Sequence, residues 1–231
     1  MGLNIAFILD GNRRWAKQHN LSEAEGHKKG AETLNNLFNW IKELKDESPE
    51  KYSIDEVTLY VFSMQNFDRS QNEINLLMDL FMKSCREILS NRKTNEEQIK
   101  VRFLGRKHLL PENLQKEISK VEDKTKNYNK FTLNFALAYG GREEIIDAIN
   151  KIIKEKKQCI NEKDFPKYLY TESEPDIIIR TGDVSRTSNF FPWQSIYSEW
   201  FFLKKMWPEI TKEDIKNIIN DFHTRERRFG K

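Results

Sequence analysis

Cysteine is nearly absent from this chain: Cys85 and Cys159 are the only two in 231 residues. Two cysteines exclude a disulfide scaffold. Cys85 falls on an apolar helical stripe and reads as inert core. No apolar run approaches the ~20 residues of a membrane span, and mean hydropathy is −0.76. The start lacks the cationic segment and apolar stretch of a secretory signal. The fold begins by residue 5, which leaves little room for a targeting segment. Neither charge dominates, with 39 basic and 36 acidic residues, so no nucleic-acid partner is expected. Neither a P-loop nor a G-x-G-x-x-G fingerprint is present, which argues against those modes of nucleotide binding. There is no internal repeat and no low-complexity tract. These absences predict a cytoplasmic protein with one domain, residues 1–231.

The opening segment is the most informative part of what is there. Ile5-Ala6-Phe7-Ile8-Leu9 runs straight into Asp10-Gly11-Asn12, then Arg13, Arg14 and Trp15. An unbroken apolar run reads as a strand buried on both faces. Asp-Gly-Asn turns the chain, and Arg13 to Gln18 are good helix formers. Asp10 is therefore expected at the carboxyl end of a central strand, where open α/β sheets bind ligands. The helix N-terminus that follows attracts phosphate, which a carboxylate repels, so a divalent metal between the two would make sense of Asp10. On this segment alone, a plain strand-turn-helix with Asp10 as a cap is the slightly favoured reading.

Strand-like runs recur at 5–9, 57–62, 101–104, 131–137, 176–179 and 200–203. Helical stripes lie between them: Ala31 to Leu44, Ile74 to Leu89, Ile145 to Ile153 and Ile215 to Phe222. The alternation predicts an α/β fold, a mainly parallel six-stranded sheet flanked by helices. Polar stretches at 45–56, 91–100 and 154–164 read as surface connections. The 74–89 stripe reads mostly as core, and Met78, Phe81 and Met82 also fit the lining of a hydrophobic tunnel, which the stripe alone does not distinguish.

The wider pattern resembles the cis-prenyltransferases, the undecaprenyl or polyprenyl diphosphate synthase family. Besides the opening, it comprises Gly26-His27-Lys28-Lys29-Gly30, the Thr58 to Ser63 run with Asn66 and Arg69, and Tyr139-Gly140-Gly141-Arg142. Pro175 to Gly182 follows, with Arg186, Ser188, Asn189 and Phe190. Trp193-Gln194, Tyr197-Ser198-Glu199, Trp207-Pro208 and Arg225 to Gly230 complete it. These stand in family order and at family spacing.

The resemblance implies condensation of isopentenyl diphosphate with an allylic diphosphate primer, with Mg²⁺ as cofactor. It implies that Asp10 and Glu199 serve the metal. Gly11, Asn12, Arg13 and Arg14 would cradle the allylic diphosphate beside Trp15, with Arg14 as its charged partner. Arg180, Arg186 and Ser188 would hold the isopentenyl diphosphate; an arginine's planar fork bonds two phosphate oxygens at once. His27 and Asn66 are implied in diphosphate positioning and proton handling, with Ser63, Phe67 and Arg69 around Asn66. Arg228 would reach a partner subunit's site, which implies a homodimer. The fold would hold the growing chain in a tunnel between sheet and helices. A long lipid product also implies a peripheral membrane contact at release.

Some positions depart from the bacterial form. Glu23 stands where the family has a diphosphate-contacting arginine, so either Lys17 or Arg13 compensates or Glu23 points outward. Arg13 replaces a small residue, Gln65 a glutamate, Phe67 a tryptophan, and Asn4 a histidine. Asp183-Val184-Ser185 replaces a small, acidic linker with its length kept. Val61 and Phe131 are larger than their counterparts in long-chain synthases, which predicts a product no longer than the bacterial carrier lipid. A catalytically silent partner subunit is the competing reading. Such subunits lack the strand-end aspartate and its neighbours, whereas Asp10, Asn12, Arg14 and His27 are all present here.

Overall fold

The computed structural model describes residues 2–225. Six strands form one sheet in the order β3-β4-β2-β1-β5-β6. They are β1 (Leu3–Ile8), β2 (Ile54–Ser63), β3 (Ile99–Leu104), β4 (Phe131–Tyr139), β5 (Ile177–Arg180) and β6 (Glu199–Phe202). The pairs β1/β5, β5/β6 and β3/β4 are parallel. Seven α-helices are found among the described residues: α1 (Asn12–Gln18), α2 (Glu23–Glu47), α3 (Gln71–Ser90), α4 (Arg92–Glu96), α5 (Glu112–Thr125), α6 (Gly141–Lys154) and α7 (Lys212–Thr224). Every strand-like run of the sequence is a strand. Among the described residues, no helix is long and apolar enough to cross a membrane.

The chain divides into two compact units. Of the described residues, the first holds 2–59, 175–186 and 197–225. Its centre is β1 and β5, where Ile5, Ala6, Ile177, Ile178 and Ile179 are all fully buried. Such double burial is the fate of central parallel strands. Helix α2 opens on a capping box: Ser22 Oγ accepts the Glu25 N–H, and the Ser22 N–H donates to Glu25 Oε2. Its buried stripe runs from Gly26 and Gly30 through Thr33, Leu37 and Ile41 to Leu44.

The second unit holds residues 60–174 and 187–196. In α3, Leu77, Met78, Met82 and Cys85 are buried. Burial pushes the Cys85 thiol up to about 12, which keeps it protonated and inert. Helix α5 has no counterpart in the sequence reading. Only Leu114, Ile118, Val121 and Thr125 of its fourteen residues are buried, a stripe too sparse among charges to stand out.

Candidate active site

Asp10 lies two residues beyond the end of β1. Parallel pairing sets Ile8 opposite Arg180, the last residue of β5, so both side chains emerge at the carboxyl edge of the sheet. Arg180 Nη2 donates to Asp10 Oδ2 at 2.8 Å, and Arg14 Nη2 to Oδ1 at 3.1 Å. The Arg180 side chain is only 4% exposed, against 30% for Asp10 and 44% for Arg14. Arg180 Nη1 also donates to the Arg186 carbonyl, while the Arg186 side chain stays at the surface. The backbone under the cluster is fixed from several sides. Thr181 Oγ1 and the Trp207 N–H both donate to the Asp10 carbonyl, at 2.7 and 3.0 Å. Gly182 adopts φ 94° and approaches so closely that a Cβ there would lie 2.6 Å from Arg14 Nη2. Gly11 also has positive φ, at 106°, and turns the chain into α1.

The glycines around His27 have a packing role. A Cβ at Gly26 would lie 2.4 Å from the Asn12 carbonyl, and one at Gly30 2.2 Å from Asn12 Oδ1. They let α1 press directly onto α2, while Asn12 Nδ2 donates to the Leu9 carbonyl and closes the strand end. His27 sits between them, half-buried. Trp15 stacks on His19 at 4.4 Å. The departure at Glu23 is matched within the same chain: Arg13 Nε donates to Glu23 Oε1 at 2.8 Å, with both side chains half-exposed. An exposed pair of this kind is worth about 0–1 kcal/mol, so Glu23 holds Arg13 only loosely.

In the second unit, β2 ends at Ser63 and a single 3₁₀ turn, Met64–Asp68, follows. Asn66 Oδ1 accepts the Ser63 N–H at 3.0 Å, so this asparagine caps the turn. Arg69 pairs with Glu73 at 2.7 Å. Phe67 meets Phe62 edge-on, as does Phe81. Ser188 is exposed and has φ 48°.

The sequence model of the undecaprenyl diphosphate synthase (Prenyltransf) family matches residues 8–230. The chain belongs to the cis-prenyltransferase family. The isoprenyl transferase of Fusobacterium nucleatum is 44% identical over 98% of this chain and 95% of that protein. The tritrans,polycis-undecaprenyl-diphosphate synthase (geranylgeranyl-diphosphate specific) of Pyrococcus furiosus is 42% identical over 99% and 86%. The crystal structure of lavandulyl diphosphate synthase from Lavandula x intermedia, in complex with dimethylallyl diphosphate, superposes with a TM-score of 0.87. It is 30% identical, over 99% of this chain and 98% of that one. The protein is accordingly a prenyl-transferring enzyme, a cis-prenyl diphosphate synthase.

Glu199 does not join the cluster. Glu199 begins β6 opposite Ile177, three register steps from Arg180, or roughly 10 Å along the strand. It therefore lies toward the opposite edge of the sheet from Asp10 and accepts from Arg225 Nη1 at 2.7 Å. A single chain does not bring Asp10 and Glu199 to one metal ion, because strand register separates them. Arg228 lies outside the described residues. Among those described, no three His, Cys, Asp or Glu side chains form a metal cluster. Mg²⁺ binds through one or two carboxylates plus substrate phosphates, and Asp10 is the carboxylate of this cluster. Asp10 offers a partly exposed carboxylate between Arg14 and Arg180.

Other supporting residues carry no signal in the sequence. Glu144 is 1% exposed and accepts from Tyr139 Oη at 2.5 Å, the Tyr170 N–H at 2.7 Å and Gln194 Nε2 at 3.0 Å. Burial raises its pKa above the ordinary 4.5, against the opposing pull of those hydrogen bonds. A pKa higher in the folded state adds stability in full below about 4.5, which is lost as pH rises through the folded value. Glu144→Gln is therefore expected to remove a falling component of stability that begins near pH 4.5. Urea midpoints of both proteins from acid to neutral pH test this; parallel curves would contradict it.

Proposed function

We propose that this enzyme joins isopentenyl diphosphate units to an allylic diphosphate primer with Mg²⁺ as cofactor, releasing a polyprenyl diphosphate that serves as a carrier-lipid precursor. The observation that carries this reading is the Asp10–Arg14–Arg180 cluster at the carboxyl edge of the sheet. In the reaction the primer's allylic C–O bond breaks and its diphosphate departs. A carbon–carbon bond forms to the isopentenyl unit, which then loses a proton. Arg14 and the backbone from Gly11 to Arg14 take the allylic diphosphate, with Arg13 drawn from Glu23 as a further cation. Arg180, Arg186 and Ser188 take the isopentenyl diphosphate. Asp10 would hold Mg²⁺, which would supply charge neutralisation at the departing diphosphate. His27 and Asn66 position the diphosphates and handle the proton, with Trp15, Ser63, Phe67 and Arg69 beside them. Residues 1–231 act as one catalytic domain.

A homodimer accords with the aromatic edge of the sheet. β6 is an edge strand, Trp200 and Phe202 stack at 5.7 Å, and Tyr197 and Phe202 are 58% and 40% exposed. Bare edges of this kind invite pairing. Glu199 and Arg228 are assigned roles across that interface, which answers the distance of Glu199 from Asp10. Product leaves to a lipid surface.

Met78, Phe81, Met82 and Phe62 form the apolar wall assigned to the growing chain. Val61 and Phe131 are both half-buried, and Phe131→Ala is expected to lengthen the product by one or more units. Sizing of extracted products checks this, and an unchanged distribution would contradict it. The site assignments are tested by calorimetric titration of a non-hydrolysable allylic diphosphate analogue, with and without Mg²⁺. Tightening by Mg²⁺ in the wild type but not in Asp10→Asn supports them; equal affinities would refute the metal role.

A further inference from the structure

The segment 187–196 has an uncommon backbone. Ser188, Asn189 and Phe191 have φ values of 48°, 62° and 49°, a region that side chains other than glycine's seldom adopt. Such strain persists only where the surroundings over-determine it, and it gathers at functional sites.

Here the surroundings are explicit. The Asn189 carbonyl accepts the Gly141 N–H at 2.8 Å, and Asn189 Oδ1 accepts the Arg142 N–H at 2.9 Å. Asn189 Nδ2 donates to Glu143 Oε2 at 3.0 Å. One residue thus fastens the segment to the first turn of α6 and satisfies two N–H groups the helix cannot pair itself. The fit is close: a Cβ at Gly141 would lie 2.0 Å from Pro192 Cδ. Phe190 and Phe191 are buried and stack at 4.3 Å, and Phe190 stacks on Tyr60 at 4.7 Å. Tyr60 Oη donates to the Ser188 carbonyl at 3.4 Å. Ser188 itself remains exposed. Its main chain is held on both sides while its side chain is presented at the surface.

We propose that Asn189 is a positioning residue for Ser188: its three bonds to the start of α6 hold the strained backbone that aims the Ser188 hydroxyl at the isopentenyl diphosphate. The proposal rests on the reading of Ser188 as a ligand of that substrate. Tyr139-Gly140-Gly141-Arg142 then acts as the seat of the segment, with its glycines giving Asn189 and Pro192 room.

The test is steady-state kinetics of Ser188→Ala, Asn189→Ala and the double variant, with each substrate varied in turn. Asn189→Ala is expected to raise KM for isopentenyl diphosphate about tenfold and leave KM for the primer unchanged. In the Ser188→Ala background the same change should have little further effect, because Asn189 acts through Ser188. Glu143→Ala removes only the Nδ2 bond and is expected to raise that KM about threefold; it serves if Asn189→Ala does not fold. Asn189→Ala with a lowered melting temperature and unchanged KM values would overturn the proposal, and so would full additivity in the double variant. Ser188→Ala without effect would instead remove the reading of Ser188, and is thereby told apart from a failure at Asn189.

Discussion

Asp10→Asn is expected to slow chain extension by about a thousandfold at saturating Mg²⁺ and substrates, the order that loss of a metal-held charge in the transition state produces. The side chain keeps its shape and loses its charge, so packing is preserved while both of its tasks fail. One task, on the proposed reading, is to hold the metal beside the leaving diphosphate. The other is to counter Arg180, whose side chain is 4% exposed and draws its nearby negative charge from Asp10. Breaking a fully buried pair costs about 3–5 kcal/mol. Asp10 is 30% exposed, so water screens the pair and a loss of about 1–2 kcal/mol is the better figure. Single-turnover rates and urea unfolding separate the two effects. A variant with a rate within tenfold of wild type would refute the role of Asp10.

Trp207→Ala should be the most destabilising single truncation, about 3–5 kcal/mol for a large buried aromatic. Trp207 is 1% exposed and meets Phe7 edge-on with centroids 6.1 Å apart. Its Nε1–H donates to the Gly30 carbonyl at 2.8 Å, while its backbone N–H holds the Asp10 carbonyl at 3.0 Å. The ring therefore ties α2 to the segment that supports Asp10. Trp207→Phe keeps most of the ring volume and loses the Nε1 bond, for about 1–2 kcal/mol. It is expected to retain activity at low temperature. Urea midpoints rank the three proteins, and an alanine variant within 1 kcal/mol of wild type, on the order of a single hydrogen bond, would contradict this account of the core.

The strands were legible because their signal is local. Ile5 to Leu9 and Ile177 to Ile179 are apolar without interruption because both faces are covered, and such a run has few other uses. The strand-end position of Asp10 followed from the same run. What escaped depends on residues far apart in the chain. Glu144 looks like one more helical glutamate until Tyr139, Gln194 and the Tyr170 backbone close around it. Gly26 and Gly30 stand in the sequence only as the flanks of His27, whereas their constraint is the approach of Asn12. Glu199 could be grouped with Asp10 because strand register, which sets them apart, is invisible in a single sequence. The charge reversal at Glu23 became intelligible once Arg13 was found beside it.

The central claim is that this chain builds a prenyl chain on an allylic diphosphate. Incubating the purified protein with labelled isopentenyl diphosphate, Mg²⁺ and primers of several lengths, then sizing the extracted products, tests it most directly. The account predicts Mg²⁺-dependent extension of at least one primer by several units, with a product no longer than the bacterial carrier lipid. Folded protein that extends none of them would contradict it and leave a silent subunit in need of a catalytic partner.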